Sequence, residues 1–225
     1  MNPIEAPGTA EPQWRAWPGL RDLPTLDVSG WRSAAIVAAH PDDEVLGAGG
    51  LMAMLADRGV RLRLIAVTDG EASHPGRDIA ARRIAETTCA LKHIGDCEVL
   101  RLRLPDSGVR DDELAARLPD LLAGFEVCLA PWENDVHPDH EAAGRAALTC
   151  DIPVLRFPIW TWHWARPADP GVPWERAARV PLPPPILHRK RSAIDCFTSQ
   201  TEGPDPILPP GVLEHFTRPA EVLVR

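Results

Sequence analysis

The sequence predicts an α/β fold of Rossmann-like type: a mostly parallel sheet with helices on both faces, formed by residues 1–225 as a single domain. Three observations carry this. Short, uninterrupted apolar runs alternate with helix-like segments of 12 to 17 residues; glycines stand behind most of those segments; and two of the runs end in a cluster of histidine and acidic residues. Strands that alternate with helices of this length form βαβ units with right-handed crossovers and a sheet buried on both faces.

Taken in order, residues 34–39 (AAIVAA) are a continuous apolar run, as a strand covered on both sides requires, and residues 45–58 read as a helix stopped by Gly59. Residues 61–68 give a second strand, 78–94 a helix ended by Gly95, and 98–102 a third strand. A helix over 111–122, with Gly124 behind it, leads to a fourth strand at 127–130; a helix over 139–150 leads to a fifth at 154–157. Pro-rich segments at 167–173 and 181–185 then break the rhythm, and a helix over 189–197 and a strand over 221–224 close the chain. The first 30 residues are Pro-rich and aperiodic, an arm that Trp14 and Trp17 can pin to a body whose core spans about residues 34–200.

With 225 residues, 44% of them hydrophobic, the chain can bury one sizeable core. A net charge of −8 disfavours nucleic acid and anionic membranes as partners and leaves a small molecule. The N-terminal stretch has neither a positive segment nor an apolar one, and no run of 18 uncharged apolar residues occurs, so the expectation is a cytoplasmic protein without a membrane span. The five cysteines lack CxxC spacing and read as reduced core residues.

The chemistry concentrates at two places. HPDDE (His40 to Glu44) follows the first strand, and HPDH (His137 to His140) follows the fourth. In a sheet ordered 3-2-1-4-5 these strands are neighbours whose crossovers diverge, so both clusters face one crevice at the carboxyl ends. Asp42 or Asp43 alone could be a helix cap, but so many ligand-type side chains converging there need a cation to offset their repulsion. His40, Asp43 and His140 can share one ion and leave a position for water, the arrangement of a catalytic zinc. Asp42 is then the free carboxylate, fit for general base and acid work; His137 can stabilise an oxyanion, and Asp139 can hold that imidazole. Glu44 either supports the site or simply opens the helix.

These motifs resemble the LmbE-like, PIG-L-type deacetylases. The resemblance implies a Zn2+-dependent hydrolase that removes an acetyl group from an N-acetylglucosamine unit or conjugate, with His40, Asp43 and His140 as metal ligands and Asp42 as base. Weaker similarities lie in TDGEASHPG (68–76), RRIAE (82–86), LPDSGV (104–109) and the spacing from Lys190 to Gln200. They imply that Asp69, Glu71, Arg83 and Asp106 contact substrate hydroxyls. Unlike some relatives, the chain has no tyrosine to help polarise a carbonyl.

PIWTWHWARP (158–167) reads either as a half-buried strand or as a wall of indoles, with Trp162 and Trp164 lining the substrate mouth. HRKR (188–191) is either a solvated helix start or a phosphate contact. His93 and His215 read as surface or helix-end residues. GAGG (47–50) lies inside a helix and fails dinucleotide spacing, so it implies close helix packing. Two other functions use the same residues: a non-haem Fe(II) enzyme, whose metal site has the same composition, and an inactive sugar-binding relative.

Overall fold

Ser33–Ala38 (β1) is buried along its whole length, which places it in the interior of a sheet. In this computed structural model, which describes residues 3, 4 and 6–225, the arm residues Met1, Asn2 and Glu5 lie outside the described residues. Along the chain, α1 (Glu11–Ala16) and α2 (Pro18–Arg21) precede β1. Then α3 (Asp43–Asp57), β2 (Arg61–Ala66), α4 (Ala80–Ile94), β3 (Glu98–Arg101), α5 (Asp111–Leu122), β4 (Val127–Pro131), α6 (Pro138–Leu148) and β5 (Val154–Phe157) alternate. The remainder is α7 (Thr161–Trp164), β6 (Ala177–Pro181), α8 (Pro184–Ile194), α9 (Thr198–Thr201), α10 (Pro210–Leu213) and β7 (Ala220–Val224).

The sheet order is β3-β2-β1-β4-β5-β7-β6. Its first five strands are parallel and follow the expected 3-2-1-4-5 order; β7 then pairs antiparallel with both β5 and the edge strand β6. Strand β6 is absent from the sequence reading because it ends in Pro181 within a proline-rich stretch; it is the last strand, where a missing N–H is tolerated. The period-two alternation of β1 divides the core. Ala34, Ile36 and Ala38 join the layer that includes α3, α4 and α8, whereas Ala35, Val37 and Ala39 join the layer with α5 and α6.

Helix α3 is buried on nearly every side. A Cβ on Gly47 would lie 2.2 Å from Phe157, and one on Gly50 2.5 Å from Leu182, so the glycines let the helix approach its neighbours as GAGG implied. Helix α8 starts at Pro184, five residues before the expected position, because proline fits the first helical turn. HRKR inside it is neither a solvated start nor a unit. Lys190 is buried and ion-paired with Glu221 of β7 at 2.7 Å, and Arg189 pairs with Asp57 at 2.7 Å. Lys190 Nζ also donates to the Leu46 carbonyl, while Glu221 accepts from the N–H groups of Gly50 and Leu51. The pair thereby serves polar groups in the middle of α3.

The N-terminal arm is firmly docked. Trp14 is fully buried and its Nε1 donates to the Trp162 carbonyl at 2.9 Å. Glu11 is buried against Arg218 and His215, so His215 is not the surface residue the sequence suggested. Cys89 and Cys196 form a disulfide between α4 and the end of α8, which corrects the reading of all five cysteines as reduced; Cys97, Cys128 and Cys150 are free. No helix among the described residues is long and apolar enough to cross a membrane.

Replacing Lys190 by alanine leaves Glu221 buried without its cation, and a loss of about 3–5 kcal/mol is expected. Urea unfolding of the variant checks this; an unchanged midpoint contradicts the role assigned to the pair.

Candidate active site

Strands β1 and β4 are adjacent, and the helices that follow them pack in opposite layers. The crevice between them opens at the carboxyl ends of both strands. His40 lies two residues past the end of β1. Asp42 is the N-cap of α3 with φ of 133°, rare for a residue with a side chain, and its carbonyl accepts from Val45 and Leu46. On the other side His137 is the N-cap of α6, its Nδ1 accepting from the Asp139 N–H at 3.3 Å, and His140 lies in the first turn.

Three side chains meet at one point. His40 Nδ1 is 3.2 Å from His140 Nε2 and 3.7 Å from Asp43 Oδ2; His140 Nε2 is 3.2 Å from Asp43 Oδ1. Donor atoms about 2.0–2.2 Å from a tetrahedral zinc stand about 3.3–3.6 Å from one another, so the spacing fits such an ion. The outer nitrogens are also held: His40 Nε2 lies 3.0 Å from Asp139 Oδ2 and 3.2 Å from Asp106 Oδ1, and His140 Nδ1 lies 2.7 Å from Asp135 Oδ2. Carboxylates on the far nitrogen fix the tautomer and orientation of ligating imidazoles. Donor atoms of His40, His137 and His140, and of His40, Asp106 and Asp139, also gather closely enough to hold a cation.

Electrostatics agree with a centre built for positive charge. Burial alone lowers the pKa of His40, but Asp106, Asp139 and Asp43 outweigh it and raise the imidazole to about 9. His140 is likewise lowered by burial and raised further by Asp43 and Asp135, to about 10. Asp43 is depressed: burial pushes it up, but the two imidazoles pull it well below the usual range. Asp42 is different. Burial raises it to about 7 despite the Arg83 guanidinium, whose Nη2 lies 3.1 Å from Asp42 Oδ2. His137 is held to about 3 by burial and by the neighbouring histidines, so it is neutral. Glu44 is pushed up to about 8 by burial; one of its oxygens accepts from the Asp42 N–H and the other is buried without a partner.

A cavity of about 140 Å³ opens beside the three donors, with Asp42, Arg83, Asp106, His137, Trp160 and Gln200 among its walls. Arg83 turns its donors inward, to Asp42 and to the carbonyls of Pro41 and Gly70. Asp106 is engaged with His40 and the Ala72 N–H. Asp69 and Glu71 do not line the cavity: Asp69 pairs with Arg101, and Glu71 accepts from the Asp106 N–H. The Asp139 carboxylate holds His40, not His137, which it touches only through its backbone N–H.

Trp162 and Trp164 also lie outside the cavity, and their segment is neither strand nor indole wall. It is the single helical turn α7, with Trp162 packed between Trp14 at 5.1 Å and Arg218 at 4.1 Å, and Trp164 stacked on Trp132. The cavity-facing indole is Trp160. Asp135, unremarked in the sequence, accounts for the turn: besides holding His140, it accepts from the N–H groups of Ile159, Trp160 and Thr161. The signal available was an acid five residues ahead of His140.

Comparison with known proteins follows the same lines. The sequence model of the family described as "PIG-L: GlcNAc-PI de-N-acetylase" matches residues 35–150, just over half of the chain. A probable N-acetyl-α-D-glucosaminyl L-malate deacetylase from Bacillus cereus is 30% identical over 194 residues, covering 76% of this chain and 84% of the relative. A 1D-myo-inositol 2-acetamido-2-deoxy-α-D-glucopyranoside deacetylase from Streptomyces avermitilis is 30% identical over 203 residues, covering 73% of this chain and 65% of that protein, so slightly less than two thirds of it is spanned. Among solved structures, the N,N'-diacetylchitobiose deacetylase of Pyrococcus horikoshii superposes with a TM-score of 0.63 at 18% identity, over 79% of this chain and 75% of that one; this is likeness of fold.

The raised pKa values of His40 and His140 mean that the metal-free folded chain binds more protons than the unfolded chain above about pH 6.5. Their contribution is complete below pH 6.5 and lost as pH rises through about 9 and 10. The raised carboxyls of Asp42 and Glu44 act in the same direction at lower pH. The melting temperature of chelator-treated protein should therefore fall from pH 6 to pH 10, and zinc should offset the fall; a flat profile without metal would contradict these electrostatics.

Proposed function

The chain belongs to the PIG-L (LmbE-like) family, and from that premise we propose that it is a zinc-dependent deacetylase that removes the acetyl group from an N-acetylated amino sugar or its conjugate. What carries the reading is one juxtaposition: a carboxyl tuned to about 7, Asp42, and a neutral imidazole, His137, flank the point where His40, Asp43 and His140 meet. When bound there by those three residues, zinc supplies a Lewis acid and a water acidified to about pKa 7.

The chain's own groups divide the remaining work. Asp42 accepts the proton of the attacking water and later delivers it to the departing amine; a pKa near the operating pH suits both tasks. Arg83 holds the free carboxylate in place, its guanidinium bound to the carbonyls on either side of the crevice wall. Because His137 Nδ1 accepts a backbone N–H, its proton resides on Nε2, which is thereby a donor for the oxyanion that develops on the acetyl carbonyl. This fills the role that the absent tyrosine could have shared. Asp139 and Asp106 keep His40 oriented, and Asp135 does the same for His140.

The cavity is smaller than the roughly 300 Å³ at which sites for whole ligands begin. It suits the acetamido end of a substrate, with the sugar and aglycone extending past Trp160 and the loop bearing Ala72 and Ser73. The two curated relatives are named for acetamido sugars linked to a polar group, malate in one and inositol in the other, which supports an aglycone outside this cavity.

The test is amine release from N-acetylglucosamine conjugates, with zinc removed by a chelator and then restored. Activity should follow the metal, and Asp42→Asn should lower kcat by about 10²–10⁴-fold while metal content is retained. Turnover that survives either treatment would overturn the mechanism. Asp135→Asn should weaken zinc binding by about 10–100-fold, measured by competition with a chelating dye; unchanged affinity would remove His140 from the ligand set.

A further inference from the structure

A second cavity, of about 540 Å³, lies among α1, α2, β6, β7 and α8 and shares no lining residue with the crevice. Its volume falls within the range of small-molecule sites. Trp17, Leu20 and Leu187, each half-buried, give it an apolar wall. Five arginines (Arg15, Arg21, Arg179, Arg191 and Arg218) also line it, and no carboxylate does. That is a sharp local excess of positive charge in a chain whose net charge is −8.

Three of these arginines are compensated nearby: Arg15 and Arg218 by Glu11, and Arg21 by Asp22. The other two have no carboxylate partner among the described residues. Arg191, the member of HRKR that faces this cavity, donates to the Thr217 carbonyl. Arg179 has a buried Nε with no hydrogen-bond partner. A guanidinium offers a planar fork matched to a carboxylate.

We propose that this cavity binds an amphipathic organic anion, a single carboxylate carried on an aliphatic body. The carboxylate sits at Arg179 and Arg191, and the body lies along Trp17, Leu20 and Leu187. The ligand pairs two guanidinium groups that have no carboxylate partner among the described residues and covers the half-buried Trp17 indole. This binding is independent of the reaction assigned to the crevice.

Isothermal titration of the full chain with dodecanoate, kept below its micellar concentration, tests the proposal. Saturable 1:1 binding is expected, at least about tenfold tighter than that of dodecan-1-ol and weakened by added salt. Arg179→Gln and Arg191→Gln should each weaken the anion by about three- to tenfold and leave the alcohol unaffected, while Leu187→Trp, which narrows the cavity, should weaken both. Equal affinity for acid and alcohol would reduce the cavity to an unselective apolar hole and overturn the proposal. So would absence of saturable binding, unaltered affinity in both arginine variants, or self-association of the chain that dodecanoate does not displace. Should the arginine variants fail to fold, the comparison of acid with alcohol on the unaltered chain decides.

Discussion

The constraint on which the rest of the molecule depends is the crowding of buried carboxylates around two imidazoles. Asp42, Asp43, Asp135 and Asp139 are each at most 6% exposed and lie within a few ångströms of His40 or His140 or beside a residue that does. Such a cluster can persist only where positive charge is supplied. Protons on the histidines serve in the metal-free chain, and a divalent cation would serve better, because it satisfies several lone pairs at once. The sheet exists in the arrangement that brings this about: only adjacency of β1 and β4 places the residues after one strand opposite those after the other.

The two adjacent carboxylates Asp42 and Asp43 differ in what they face. Asp43 faces the imidazoles and is held ionised, whereas Asp42, one residue earlier, turns toward Arg83 and is buried enough to titrate near neutrality. A backbone conformation seldom used by residues with side chains, at Asp42, separates the two adjacent carboxylates. The charge density of HPDDE is thus resolved by geometry into a carboxylate facing the imidazoles and one facing Arg83.

Most of this was legible in the chain. Apolar runs of the right length gave the parallel strands and their order, and the chemistry lay in two contiguous motifs whose positions followed from the topology. What escaped depended on contacts between distant segments. Asp135 captures three successive N–H groups of residues 159–161, which starts a helical turn where alternating tryptophans suggested a strand; the turn sends Trp162 into the core and leaves Trp160 at the cavity. Sequence proximity pairs Asp139 with His137, but the crevice brings its carboxylate to His40. Strand β6 was hidden by prolines that only an edge position allows, and the pairing of Cys89 with Cys196 by the 107 residues between them.

The clamp formed by Lys190 and Glu221 couples the two ends of this logic. Helix α3 carries Asp43 at its start, and polar groups in its middle are served by a residue of the last strand. During synthesis, therefore, residues 40–140 emerge well before Glu221, whose carboxylate accepts from the middle of α3 in the folded chain. The crevice is thus encoded early in the chain, whereas the brace on the helix that carries Asp43 is encoded late.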